Sequence, residues 1–135
     1  LIAELELIHR KAMRLQDILA RTFSKGATGN QVLEQALTQA KAEGIEKPMI
    51  YSHPIGLYGH GPGPTIGSFG NQVFVPGSGE RLINDSTCYA MELNVMEQVP
   101  SWDNLRIMYG QEIDILFQDT RVEFLSGRQQ QLHII

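Results

Sequence analysis

Two histidines, His53 and His60, stand seven positions apart in the run YSHPIGLYGHGPGPTIG, with glycines and prolines around both. Further along, Glu92 interrupts the apolar run YAMELNV and Glu112 the run QEIDILF. Imidazole and carboxylate groups brought together from separate elements are the usual first shell of a divalent metal. A carboxylate desolvated inside an apolar strand costs several kcal/mol unless it finds a partner. Two such carboxylates downstream of two histidines make a metal a natural partner. Simpler accounts stay open on spacing alone. Alternation turns many strand carboxylates to solvent, and a loop histidine often caps a backbone group.

The flanking elements must position these groups. Leu5, Ile8, Ala12, Leu15, Leu19 and Phe23 recur at three-to-four spacing, which predicts an amphipathic helix over residues 1 to about 24. SKG ends it, with Gly26 as the left-handed stop. Thr28 is then an N-cap, with Gln31 in capping-box spacing, for a second helix that buries Val32, Leu33, Ala36, Leu37 and Ala40 and closes at Gly44. From Ile45 the pattern turns to strands. PMIYSHPIG reads as a short strand entering a glycine-rich loop that runs to about Gly70, and NQVFVPGSGE as a short strand and turn. Ser86 to Val99 and Leu105 to Phe117 are long β-rich runs around a PSWDN turn, TRVEFL is a last strand, and SGRQQQLHII is a tail. The class is α+β: a helical pair on an antiparallel sheet, in a single domain over residues 1–135.

Composition narrows the function. With 42% hydrophobic and 19% charged residues the chain is globular rather than disordered. A net charge of -4 gives no footprint for nucleic acid or for an anionic membrane surface. No apolar run approaches the ~20 residues that span a bilayer. The single cysteine, Cys88, excludes an internal disulfide and favours a reducing, cytoplasmic setting. Within its strand Cys88 reads as a buried, inert thiol. His9 reads as a solvated helix residue, His133 as part of the tail, Trp102 as a core side chain, and GRQQQ carries no assigned chemistry. Ile66 stands where a G-x-G-x-x-G fingerprint begun at Gly61 needs its last glycine, so phosphate binding is not supported.

SHPIGLYGHGPG followed by YAMELNV and QEIDILF resembles the C-terminal half of the pita-bread metallopeptidases: methionine aminopeptidase, aminopeptidase P, prolidase and creatinase. His53, Gly56 and His60 match the family's histidine spacing, and the helix–glycine turn–helix before them is similar too. The loop is nearest the Xaa-Pro branch, and the resemblance covers roughly residues 8 to 127. It implies that His53 and Glu92 ligate one divalent metal, that Glu112 bridges two, and that His60 hydrogen-bonds the substrate carbonyl or tetrahedral intermediate. The implied ions are manganese, cobalt, iron or zinc in a dinuclear centre that activates water. The implied substrate is a peptide with proline at its second position.

The sequence also departs from that pattern. The family's two aspartate ligands lie on a hairpin upstream of the helical pair, outside this chain. Gly61 stands where the family commonly has an acid, and Gly110 where it usually has arginine. Arg106 lies six positions before Glu112, so Asp114 is an alternative to Glu112 as ligand. The start at Leu1, already helical, suggests a piece of a longer polypeptide. Two expectations follow: a metallopeptidase segment that is incomplete as a catalyst by itself, or a non-catalytic peptide- or protein-binding module of the same shape. An open sheet edge predicts self-association, or pairing with the missing half.

Overall fold

A computed structural model describes all 135 residues. Helix α1 spans Ile2–Thr22 and α2 spans Gly29–Ala42. The strands are β1 (Pro48–Ile50), β2 (His53–Gly56), β3 (Gly59–His60), β4 (Thr87–Val99), β5 (Leu105–Gln118) and β6 (Arg121–Phe124). They form one antiparallel sheet in the order β3-β2-β4-β5-β6, with β1 beside β4 as well. The α+β expectation is met: two helices lie on a six-stranded sheet.

Local chemistry explains the helix boundaries. Thr28 Oγ1 accepts from the Gln31 amide at 3.1 Å and the Gln31 side chain accepts from the Thr28 amide at 2.8 Å, a complete capping box. Gly44, at φ +84°, closes α2 as expected. At the end of α1 the chain leaves the helix at an extended Phe23, and Gly26 takes the left-handed conformation in the turn beyond it. Arg14 on α1 grips Glu43, just past α2, through two hydrogen bonds of 2.6 and 2.8 Å. Those bonds, with a third from Gln39, hold the Glu43 carboxyl at about 2.

The sheet has two unlike faces. β4 and β5 pair over their whole lengths, from Thr87 opposite Phe117 to Val99 opposite Leu105. Directly opposed residues share a face, and alternate residues along a strand share one too. One face therefore carries Tyr89, Met91, Leu93, Val95, Ile113, Ile115 and Phe117, all buried in one core with Ile8, Leu15, Leu19, Leu33 and Leu37 of the helices and with Phe23 just past α1. The other face carries His53, Ala90, Glu92, Asn94, Glu112 and Asp114. The helices cover the apolar face, so the ionisable groups lie on the face away from them.

Several expectations need correcting. NQVFVPGSGE forms no strand; it is a loop with a single 3-10 turn at Ser78–Glu80. Side-chain amides take the place of strand neighbours there. Gln72 accepts from the Ile50 amide at 2.8 Å and donates to its carbonyl at 2.7 Å, while Asn30 accepts from the Val75 amide at 2.8 Å and donates to its carbonyl at 3.1 Å. Trp102 is not a core residue. It sits on a 3-10 turn at the tip of the β4–β5 hairpin, which α1 meets only through Glu4 Oε1 on the Ser101 amide at 3.1 Å, and is 42% exposed. Cys88 is half-buried rather than enclosed, because it lies on the uncovered face of β4 near the end of the strand.

His9 is buried, not solvated. Along with Met13 and Gln16 it forms a second stripe on α1, at spacings of four and three, turned toward β5 and the tail. Its Nδ1 meets the Tyr109 hydroxyl at 2.9 Å. The tail residue Arg128, to which no role was assigned, closes this stripe. It donates to Asp17 Oδ1 at 2.8 Å and to Gln16 Oε1, and stacks 4.4 Å over the Phe124 ring.

The depressed Glu43 carboxyl sets a pH dependence. A carboxylate stabilised in the folded state contributes above its unfolded pKa and loses that contribution as pH falls through the folded value. The melting-temperature gap between wild type and Glu43→Gln should be constant above pH ~5 and shrink between pH ~4.5 and ~2. Because the pair is at the surface, added salt should narrow the gap at neutral pH. Thermal melts followed by circular dichroism check both trends, and a gap that widens toward low pH would contradict them.

Candidate metal centre

The hairpin of β2 and β3 brings the two histidines together. Ile55 lies opposite His60 and Gly56 opposite Gly59, with Leu57 and Tyr58 at the exposed tip. The two strands approach so closely that a Cβ on Gly61 would lie 2.7 Å from the Ile55 carbonyl carbon, and one on Gly56 would lie 2.8 Å from Gly61 Cα. These two glycines are required by that approach, which fixes the position of the adjoining His60. The His53 and His60 rings consequently meet edge to face, with centroids 3.9 Å apart and planes at 83°.

One backbone carbonyl orients the pair. Pro54 O accepts from the Gly61 amide at 2.7 Å, closing the hairpin, and from His53 Nδ1–H at 2.9 Å. A carbonyl can only accept, so the His53 proton is on Nδ1 and its Nε2 faces the cleft. That Nε2 lies 3.2 Å from Glu92 Oε2. A bare lone pair facing a carboxylate oxygen is repulsive, so a proton or a cation belongs between them. Two donors each about 2.0–2.2 Å from one first-row ion are separated by roughly 3 Å, so the observed spacing accommodates such an ion. The hydrogen bond at the far nitrogen is also the arrangement that orients metal-bound imidazoles.

Glu92 and Glu112 are directly opposed across β4 and β5, on the same face. Like charges directly opposite in a sheet are destabilising, and a divalent cation would relieve the repulsion. Donor atoms of His53, His60 and Glu92 all lie within 4.8 Å of one another, while Glu112 is exposed and outside that group. Asp114 lies opposite Ala90, in the row of His53, and is also exposed. The structure thus assembles His53, His60 and Glu92 at one point and sets Glu112 beside them.

Three further residues shape the site. Tyr51 precedes His53 by two positions, which puts it on the same face, and its ring meets Phe69 edge-on at 5.4 Å. Asn94, fully buried two positions after Glu92, donates to the Tyr51 hydroxyl at 3.3 Å. Tyr51, Ser52, Thr65, Ser68 and Phe69 join the histidines and Glu92 around an open cleft of about 360 Å³. Period-two alternation from His53 and Glu92 would have pointed to Tyr51 and Asn94. Nothing local pointed to Phe69, which reaches the cleft because the loop after Ile66 folds back on β1 through Gln72.

Sheet, helical pair and cleft together define a fold seen in pita-bread peptidases. The chain is similar to the X-Pro aminopeptidase of Thermotoga maritima MSB8, at 18% identity and a TM-score of 0.66, over 95% of this chain and 32% of that one. It is similar to the recombinant prolidase of Thermococcus sibiricus, at 16% identity and a TM-score of 0.58, over 93% of this chain and 30% of that one. The chain therefore spans about a third of the length of these solved structures. No family model matches it, and no curated protein sequence matches it.

The opposed carboxylates give a direct test. In metal-free protein, Glu112→Gln should raise the melting temperature by roughly 1–4 °C, the effect of removing about 0.2–1 kcal/mol of cross-strand repulsion. Asp114→Asn, which faces Ala90, should change it less. An unchanged or lower value for Glu112→Gln would show that the two carboxylates do not oppose each other.

Proposed function

We propose that this chain is a segment of a metal-dependent hydrolase that removes N-terminal residues from peptides with proline at the second position. The observation that carries the proposal is the 3.2 Å approach of His53 Nε2 to Glu92 Oε2, with the opposite nitrogen tied to Pro54. Likeness of fold to an X-Pro aminopeptidase and a prolidase supports the substrate class. In this reading His53 and Glu92 hold a divalent cation, manganese, cobalt, iron or zinc, and Glu112 stands across the ladder to complete the acidic side of the site. Such an ion, when bound, lowers the pKa of a bound water and polarises a carbonyl.

The chain's own residues supply the surroundings. Tyr51 and Phe69 wall the cleft with an apolar surface for a substrate ring, and Asn94 holds Tyr51 in place. His60 stands at the cleft within reach of whatever His53 and Glu92 bind. The exposed glycine-rich hairpin leaves room for an extended peptide backbone.

The test uses the chain together with its natural upstream sequence. His53→Ala and Glu92→Ala should each lower bound metal measured by elemental analysis, and should reduce cleavage of an Xaa-Pro dipeptide at least 100-fold. Unchanged metal content in both variants would remove the reading.

We also infer association. From Leu105 to Ile113, β5 pairs with β4 on one side and has no strand on the other, and Leu105 and Met108 are exposed there. An unpaired edge of this length is a template for another strand. A second copy or an upstream segment of the protein fits it. Light scattering of the 135-residue chain should give a mass above one chain, falling to one chain per partner when the upstream segment is supplied. A lone monomer would contradict this.

A further inference from the structure

Beyond the ionic cleft, on the same face of the sheet, the register lays out a row of apolar side chains. Tyr51, whose amide donates to Glu92 O at 3.1 Å, shares one row with Glu92 and Glu112, and His53, Ala90 and Asp114 make the next. Pro54 pairs with Tyr89, so Ile55 comes beside Cys88, whose partner across the ladder is Leu116. Ile55 follows His53 by two positions and keeps its face. His60 lies directly opposite Ile55, so this third row begins at the cleft and crosses β2, β4 and β5. Glu123, paired with Leu116, ends it. All three apolar side chains keep solvent contact, Ile55 at 37%. A half-exposed apolar strip continuous with a cleft of convergent polar groups has the makeup of a ligand-binding surface.

We propose that Ile55, Cys88 and Leu116 hold the side chain of the residue released from the substrate, and that they select an aliphatic one. The proposal rests on the Xaa-Pro reading of the cleft and adds which first residue it takes. Tyr51 and Phe69 stand on one side of the His53–Glu92 pair and the apolar row stands on the other. With the scissile carbonyl at that pair and the proline ring against Tyr51 and Phe69, the residue before proline extends the opposite way, toward the row. Rows on one face are about 7 Å apart, within the span of one residue and its side chain. Ala90, buried and small, raises nothing between the cleft and the row. Asp114 and Glu123 border the row, and their charge repels an acidic side chain.

The experiment compares kcat/KM of the full-length protein on Leu-Pro, Gly-Pro and Glu-Pro. Leu-Pro should exceed Gly-Pro by about tenfold or more, and Glu-Pro should be slowest. Leu116→Ala should lower the Leu-Pro to Gly-Pro ratio by about threefold or more. Leu116→Lys should move the Leu-Pro to Glu-Pro ratio by about tenfold toward Glu-Pro, with bound metal unchanged by elemental analysis. Circular dichroism checks that both variants fold. Independently of any variant, methyl ¹H–¹³C spectra of the wild type should shift at Ile55 and Leu116 on adding leucinamide, and not on adding glycinamide. Equal cleavage of Leu-Pro and Gly-Pro by the wild type would overturn the subsite and leave the hydrolase reading standing. So would ratios unmoved in both variants, or leucinamide shifts confined to other methyl groups. A metal-loaded wild type that cleaves none of the dipeptides would overturn both.

Discussion

The carbonyl oxygen of Pro54 is the point on which the site depends. It accepts one N–H from Gly61, which closes the β2–β3 hairpin, and another from His53, which fixes the imidazole tautomer. The two bonds are coupled through one atom, so the closure of the hairpin and the aim of His53 cannot be set separately. Once Nδ1 carries the proton, Nε2 presents a lone pair to Glu92, and an electropositive occupant is called for between them. The Pro54 ring makes its own demand on the chain: a Cβ on Gly63 would lie 2.9 Å from its Cγ, so the loop beyond the hairpin needs glycine there.

The sheet supplies the other half of the arrangement through register. Glu92 and Glu112 oppose each other because β4 and β5 pair without a bulge across the site. A slip of one residue between the two strands would set Glu92 opposite Ile113 or Met91 opposite Glu112, turning one carboxylate into the core and one apolar side chain to the cleft, which the helical pair opposes by burying the apolar face. Thus the apolar contacts of α1 and α2, on the far side of the sheet, hold the ionisable groups where they are. Specificity of the cleft and stability of the core are consequences of the same alternation.

Polar side chains do structural work where the backbone runs out of partners. Gln72, in the long loop, mimics a strand neighbour for Ile50 of β1 and so brings Phe69 against Tyr51, while Asn30 of α2 does the same for Val75 of the loop. On the opposite side of the molecule, Arg128 ties the tail to α1 beside the buried His9. The tail is part of the structure for this reason, although its sequence is polar and without periodicity.

Much was legible in the linear order. The helices, the capping box, the long strands and the candidates His53, Glu92 and Glu112 follow from short-range rules: periods of 3.6 and 2, cap spacing, and the cost of a charge among apolar neighbours. What those rules could not reach were contacts between residues distant in the chain. His9 is buried only because β5 and the tail arrive from about a hundred positions away, Trp102 is exposed because it sits on the turn at the tip of its hairpin, and NQVF is not a strand because side chains take over its pairing. The sequence by itself determined which groups were available for metal chemistry and which elements carried them. The tertiary structure decided that His60 joins His53 and Glu92 while Glu112 stands aside, because convergence depends on register and on backbone approach, and neither is encoded in the spacing of residue types.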